Sequence, residues 1–481
     1  MAIRAGQILH VANGFVIDRI QTAGPGNLNI PQEKVYELGN YQSVGIVRDT
    51  PDLTFNLEAL NVDCEIEGLL TGAANPTSDA VGTSYDLSLA KTMDIISPFK
   101  SPFGAFTAVK GVAVPNLTLE SVSYRYGLRE NAGETFSLRG DSIFYIPGSP
   151  KQDNYTGNGS TTAFTFTTTP ALTYSVSGST VYALSVSVDG ARQFVGADFT
   201  NTASGITFNT APASGAKIRA VYGVAASTSY PQTVHQALNV KPAAVRGKDI
   251  DVYYGTATPV GGGVVNKSRT SNVATITTAS AHGLIPGDKV ALAITDATFD
   301  GSWTALAGTT GTTIVFANTG TDVTSVSTAG TAGKEIEVRW PDVQSVTIDW
   351  RLTLEDDYEF GNVYAVAREA TDVPDLTGTI EIKPRTIEAL FTRLQQITGT
   401  TGTQVIGPNS SVTGNLRIVL RNPESAGTSA VAAGSVIKTH YLPGVRFTIP
   451  GYEGRVQQKV TQQVTYQSDT GAMYVYRGDR P

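Results

Sequence analysis

The 481-residue chain has one cysteine, four histidines and three each of methionine and tryptophan. The single thiol, Cys64, excludes an intramolecular disulfide, so folding needs no oxidising compartment. His10, His235, His282 and His440 show no metal-ligand spacing among themselves or with Cys64. No apolar run approaches the roughly eighteen residues of a membrane-spanning helix. Arg4, His10 and polar residues interrupt Met1 to Val16, which is not expected to act as a signal peptide. Charge is scarce too: charged residues are 16% of the chain, against roughly 25% in typical soluble proteins. A net charge of −7 leaves no cationic surplus for gripping phosphates. The expectation is a soluble product of the cytosol.

Thr, Ser and Gly fill the space, a composition of strands and turns rather than helices. The length suits two to four domains of roughly 100–200 residues each. One pattern is written twice. Glu37-Leu38-Gly39-Asn40, Thr50-Pro51-Asp52-Leu53-Thr54 and Glu58 are echoed by Glu359-Phe360-Gly361-Asn362, Val373-Pro374-Asp375-Leu376-Thr377 and Glu381. Gly-Asn makes a tight turn cheaply, and a proline opens a strand without wasting a ladder donor. A repeat of this kind predicts one domain in two copies.

The repeat orders the rest of the chain. In the first copy two strands are expected between Ile3 and Ile20, and Gln21 to Gln32 reads as an exposed loop. A strand across Leu53, Phe55 and Leu57 follows, then a short helix capped by Asp63, carrying Ile66, Leu69 and Leu70 and stopping at Gly72. In the second copy Thr386 caps a helix with an apolar stripe at Ile387, Leu390, Phe391, Leu394 and Ile397, ended by Gly399. Leu87, Leu89, Met93 and Ile95 could be helical. Their counterparts Leu416, Ile418 and Leu420 alternate with Arg417, Val419 and Arg421, so both segments are expected to be strands. Pro115 pairs with Pro443, and Asp141 with Asp469. The offset between copies is about 322 at Glu37/Glu359 and about 328 at Asp141/Asp469, as small loop differences produce. At the start it is near 241, so about 81 residues, Thr256 to Ile336, are an insertion whose two ends lie close together. A first insertion, Pro150 to Ala226, separates the copies. It alternates at Phe164 and Phe166, Leu184 to Val188, Ile206 and Phe208, and Ile218 to Tyr222, with a hairpin signal at Asp189-Gly190. The second carries strands at Val273–Thr277, Lys289–Ile294 and Thr313–Phe316, with turns at His282-Gly283 and Gly287-Asp288.

Candidates for chemistry are few. Gly261-Gly262-Gly263 lacks a following Lys-Ser or Lys-Thr and reads as a linker, not a phosphate cradle. Glu355-Asp356-Asp357 with Glu359 could hold a divalent cation or form a solvated strand end. Cys64 aligns with Ile387 of the second helix, which favours a small buried apolar role over a nucleophile. His282 reads as a surface or turn residue. No catalytic, cofactor-binding or metal-binding residue is assigned, and no enzyme is expected.

Tyr36 to Gly72, containing ELGNYQSVGIVRDTPDLTFNLEALNVDCEIEGLLTG, resembles the tail tube proteins of long-tailed bacteriophages. So does LPGVRFTIPGYEGRVQQKVTQQVTYQSDTGAMYVY, Leu442 to Tyr476. GNGSTTAFTFTTTP and ITFNTAPASGAKIRAVY of the first insertion resemble small β-domains that decorate phage tails, and AHGLIPGDKV of the second resembles another phage-associated β-module. The resemblance implies a mainly β chain of two tandem tail-tube domains, β-sandwiches or half-barrels each with a short helix, plus two inserted small immunoglobulin-like β-domains. The first tube domain is 1–149 and the second 227–255 with 337–481; the insertions are 150–226 and 256–336. It further implies self-association into trimeric, pseudo-hexameric rings that stack into a tube in the virion tail, assembled in the host cytoplasm. Partners would be the tape-measure, tail-terminator and baseplate proteins. DNA would pass the lumen without specific binding, helped by an acidic framework. No cofactor or membrane segment is implied. The Gln21–Gln32, Gly399–Pro408 and Asn422–Ser435 loops would be inter-ring contacts or plain surface. The competing readings are a sheath, terminator or baseplate component, and a β-rich adhesin binding host surface glycans.

Overall fold

A computed structural model describes residues 11–13, 15–17, 20–26, 28–30, 32–35, 45–48, 51–60, 63–72, 79–89, 92–100, 108–171, 173–176, 179–225, 245–357, 365, 367–386, 395, 413–422, 435–448, 452–453 and 461–480. The Glu37–Asn40 and Glu359–Asn362 turns, most of the helix expected after Thr386, the 399–408 loop, His10 and His235 lie outside them; Gln395 is helical.

The described chain is mainly β. Its first half contains β1 (Val11–Ala12), β2 (Phe15–Val16), β3 (Ile20–Pro25), β4 (Leu53–Ala59), helix α1 (Glu65–Leu70), β5 (Ser84–Asp86), β6 (Met93–Lys100), β7 (Ala108–Gly127), β8 (Gly133–Gly140) and β9 (Phe144–Ile146). Later come β10 (Ile250–Thr270), β11 (Val323–Arg339), β12 (Val343–Arg351), β13 (Asp375–Ile382), β14 (Gly414–Arg421), β15 (Val436–Phe447), β16 (Tyr452–Glu453), β17 (Thr461–Ser468) and β18 (Tyr474–Arg477). Alternation explains these strands. In β4, Leu53, Phe55, Leu57 and Ala59 are buried while Asn56 and Glu58 are exposed, the period-2 signature of a sheet with one wet face.

Both halves use the same strand registers. In the first, β3 pairs with β4, β4 with β8 and β8 with β7. In the second, β12 pairs with β13, β13 with β17, and β17 with β15 and β16. Phe55 faces Leu138 where Gly378 faces Tyr466. The ladder slips between Ile20 and Thr22 as it does between Val343 and Ser345. A second layer repeats likewise: β2–β1–β6–β7–β9 in the first half, and β11–β10–β14–β15–β18 in the second. β7 and β15 belong to both layers. Each changes layer at a bulge, where Met93/Leu117 gives way to Ile95/Val114 and Gly414/Val445 to Leu416/Leu442. The bulge holds Pro115-Asn116 or Pro443-Gly444. Asn116 and Gly444 take positive φ (54° and 66°), open to Gly and tolerated by Asn. The freed amide is satisfied in the same way in both: Asn116 N donates to Asp94 Oδ1 at 2.8 Å, and Gly444 N to Asn415 Oδ1 at 3.4 Å.

Several expectations are corrected. Gln21 to Gln32 is not wholly loop: Ile20–Pro25 is a strand on β4, an edge position that tolerates Gly24 and Pro25. Leu87–Leu89 is a single 3-10 turn that buries Leu87 and leaves Leu89 68% exposed, and the strand begins only at Met93. The α1 cap is Cys64 rather than Asp63, without a side-chain cap bond. Gly261-Gly262-Gly263 is no linker but a kink within β10, with φ of 72°, 67° and 104°. There β10 wraps closely past Thr278, leaving no room for a Cβ on Gly261.

One apolar core runs through both halves, including Phe55, Leu57, Tyr124, Phe136, Ile348, Trp350, Leu376, Val464 and Tyr466. Residues 150–226 hold a separate core around Phe166, Phe199, Phe208 and Tyr222, between a four-stranded and a three-stranded sheet. Asp189-Gly190 there joins paired strands with positive φ at both residues. A third core, around Ile276, Val290, Phe299 and Phe316, fills residues 256–336, where Thr256 pairs directly with Ile336. Strands occur at Val273–Thr278, Lys289–Ile294 and Thr313–Ala317. Leu57→Ala should therefore cost about 2–5 kcal/mol, whereas Glu58→Gln on the wet face should stay within about 0.5 kcal/mol. Denaturant melts of the two variants check this.

Candidate assembly interface

The two halves meet edge to edge. β7 and β12 pair from Gly127/Ser345 to Ser121/Arg351, so the two groups, each four strands wide with β15 and β16 sharing the position beside β17, form one continuous antiparallel sheet. Seven residue pairs satisfy backbone groups that would otherwise be an exposed edge. Under this seam lie Val122, Tyr124, Tyr126, Val346, Ile348 and Trp350, all buried, and Trp350 Nε1 donates to Gly471 O at 3.2 Å. Above it, Ser123 Oγ donates to Asp349 Oδ1 at 2.6 Å. The second layers join as well: β5 of the first half pairs with β18 of the second, Ser84 opposite Tyr476.

A buried charge cluster closes the seam. Lys438 on β15 is fully buried. Its ammonium donates to Glu67 of α1 and, at 2.6 Å, to Glu134 Oε1 of β8. Tyr124 OH donates to Glu67 Oε1 at 2.9 Å, and the ammonium lies 5.0 Å from the Tyr124 ring centroid. Burial alone would lower the Lys438 pKa, but the Glu134 and Glu67 carboxylates outweigh it and hold the amine protonated. Burial pushes the Glu134 carboxyl up against the pull of Lys438. His440, two residues along the same face, meets Tyr126 OH through Nε2 at 2.6 Å. Burial, then the Lys438 charge, hold its pKa well below the ordinary value near 6.5.

Among the described residues the sequence candidates are held in structural contacts. Cys64 is buried and donates to Tyr476 O, and burial pushes its thiol pKa up, the inert state of a structural cysteine. His282 is buried in its turn rather than on the surface: Nδ1 accepts from Leu284 N at 3.0 Å, and Nε2 lies 3.2 Å from Thr313 O. Asp356 sits in a strand (Leu354–Asp357) and binds Arg368 at 2.7 Å and Arg139 at 3.2 Å; Glu359 lies outside the described residues. Among the described residues no group of three or more His, Cys, Asp or Glu could hold a metal ion, and no helix is long and apolar enough to cross a membrane.

Sequence reading missed the Lys438–Glu67–Glu134 cluster, although its signal was present. Lys438, His440 and Leu442 alternate on β15, so a core leucine fixes the other two as inward-facing. Glu134 alternates with Phe136 and Leu138 in the same way.

The wet face of the eight-stranded sheet is built of Thr54, Asn56, Ser121, Ser123, Thr347, Thr377, Thr379, Gln463, Thr465 and Gln467. Glu58, Asp349, Asp375 and Glu381 are interspersed there with Arg125, Arg139 and Arg351. It is polar with mixed charge, not a one-sign acidic wall. At either end the sheet stops: among the described residues β3 pairs only with β4, and β16 only with β17.

No protein-family model matches the chain, and no curated protein matches it. Among solved structures the chain is similar to one titled "Structure of the Phage P2 Baseplate in its Activated Conformation with Ca", at 11% identity, covering 69% of this chain and 97% of that one with a TM-score of 0.18.

Lys438→Met should cost about 3–5 kcal/mol by stranding two buried carboxylates, and adding Glu67→Leu and Glu134→Gln should recover most of it; chemical denaturation reads both. His440 has a folded pKa below its unfolded value, so the unfolded chain binds the extra proton. Its contribution is present above pH ~6.5 and lost as pH falls below it. His440→Gln should flatten that part of a stability–pH profile.

Proposed function

We propose that the chain is a structural subunit of a bacteriophage tail tube, built of two tube domains with two inserted β-domains, and is not an enzyme. The tube domains are residues 1–149 and 227–255 with 337–481, and the immunoglobulin-like insertions are 150–226 and 256–336. The observation that carries this reading is the seam. Two groups of strands with the same registers already join edge to edge inside one chain, and the joined sheet ends in the same two edges that form its internal joint. Such a surface is complementary to another copy of itself, and repeated head-to-tail joining closes a ring or extends a filament. Three chains, six domains, make a pseudo-hexameric ring whose shared sheet lines a lumen.

The wet face suits that lumen. Hydroxyls and amides with interspersed charges of both signs offer passing DNA no cationic stripe on which to release counterions. DNA would then slide through without specific binding. The resemblance of Tyr36–Gly72 and Leu442–Tyr476 to tail tube proteins points the same way. On this reading the subunit belongs to the virion tail, assembled in the host cytoplasm with tape-measure, tail-terminator and baseplate proteins as partners. Negative-stain electron microscopy of the purified full chain should show trimeric rings or hollow tubes with outward knobs. A monomer that forms neither at high concentration counts against the proposal, and a solid or sheath-like assembly would move the subunit elsewhere in the tail.

A further inference from the structure

The internal seam specifies its counterpart between chains. The registers superimpose with fixed offsets: β3 on β12 as Thr22 on Ser345, β7 on β15 and β16 as Tyr124 on Tyr452, and β8 on β17 as Glu134 on Gln462. Applied to the ladder between β7 and β12, these offsets turn the pair Arg125/Thr347 into Glu453/Gly24, and Tyr124/Ile348 into Tyr452/Pro25. Applied to the buried cluster, they turn Lys438/Glu134 into Lys110/Gln462.

We propose that copies of this chain join through β16 of one and β3 of the next, Glu453 opposite Gly24, with Lys110 of the second copy set against Gln462 of the first. This rests on the self-association proposed above and assigns its interface. Three observations support a second copy as the occupant. The internal seam is an established joint of the same shape. Lys110 is exposed in this chain, whereas its counterpart Lys438 is fully buried. Gln462 is 1% exposed, and its Oε1 has no hydrogen-bond partner among the described residues. A buried acceptor of that kind is costly until a donor reaches it.

The seam between copies is the weaker of the two. Gly26 N donates to Thr54 O, so Gly26 and Gly24 turn their backbone groups toward β4. Pro25 turns to the free edge, and there it offers a carbonyl but no N–H. Ile348, its counterpart, keeps its N–H. Gln462 likewise replaces a carboxylate with a neutral amide, exchanging an ion pair for a charge–dipole contact. The chain is thus a permanently joined pair of halves, and its copies associate through a lighter version of the same joint.

The test uses the full chain carrying Gly24→Cys in one preparation and Glu453→Cys in another. Gly24 has open space where the Cβ would sit, and facing residues that do not share ladder bonds suit a disulfide. Mixed and oxidised, the two should give a covalent dimer, while neither alone should. A Thr22→Cys partner, two residues out of register, should link far less. Rings or tubes by microscopy with no Gly24–Glu453 link, or with preferential linking at Thr22, overturn this interface and leave the tube reading standing. Absence of any assembly overturns both. Lys110→Met, a change at an exposed site, should raise the midpoint concentration for assembly about tenfold, and Gln462→Glu should lower it, as expected for a hydrogen bond to a charged group. An unchanged midpoint in Lys110→Met overturns the Lys110–Gln462 contact.

Discussion

The seven-pair ladder between β7 and β12 is the constraint on which the structure depends. A sheet edge carries unpaired amides and carbonyls that must be paired, covered or exposed to water. Pairing them across the two halves lays Tyr124, Tyr126, Val122 and Trp350 into one core instead of two half-cores. The charge cluster follows from the same fact. Glu67 and Glu134 are tolerable inside the first half because Lys438 arrives from the second. A buried ion pair contributes little net stability against an apolar replacement, but losing one partner is severe. The cluster therefore makes each half unfit to stand alone, which is a statement about specificity more than about total stability.

The paired bulges solve a different problem. A single strand that serves two layers must change direction without orphaning backbone groups. Pro115-Asn116 and Pro443-Gly444 do so with a positive-φ residue and an amide redirected to Asp94 or Asn415. This arrangement leaves the hairpin ends free to grow. The short β1–β2 hairpin pairs Val11 with Val16, and its counterpart pairs Tyr253 with Arg339 before extending into residues 256–336. Residues 150–226 are tied back onto the framework. Arg219 binds Asp94 at 3.1 Å, beside the first bulge, and Arg192 binds Asp141 at 3.1 Å. Arg368 of the second half lies 3.5 Å from Asp141 as well, so one buried carboxylate is shared by three parts of the chain.

Much of the β character was legible because alternation reports it directly. Leu53-Phe55-Leu57 and Val186-Val188 needed no other information. The segment around Leu87 misled because three residues cannot distinguish a strand from a single helical turn; Leu87 reaches the main core while Leu89 faces water. Ile20–Pro25 was hidden because Gly and Pro mark both loops and edge strands; only the partner strand separates the two. Gly261-Gly262-Gly263 was hidden for the same reason. The Lys438 cluster needed two things at once: the inward parity of β15, readable from Leu442, and knowledge that its neighbours on α1 and β8 are acids. Lys438 lies 304 positions from Glu134 and 371 from Glu67; topology brings them together, which no local pattern encodes.

The differences between the halves are as informative as their likeness. Phe55 with Leu138 and Gly378 with Tyr466 fill the same space by opposite choices, large with medium against none with large. A Cβ on Gly378 would fall 2.3 Å from the Tyr466 hydroxyl, so the two sites cannot exchange single residues. That divergence means the halves are no longer interchangeable at this position. The internal seam and the proposed seam between copies would face different demands. A joint inside one chain forms at a high effective concentration set by the connecting segment, and its partners never stay apart once folded. It can afford two buried acids and a buried lysine. A joint between chains must form from surfaces that first exist in water. For the interface proposed above, an exposed Lys110, a proline-blunted edge and a neutral Gln462 suit that demand, because none of them leaves a buried unpaired charge in the separate chain.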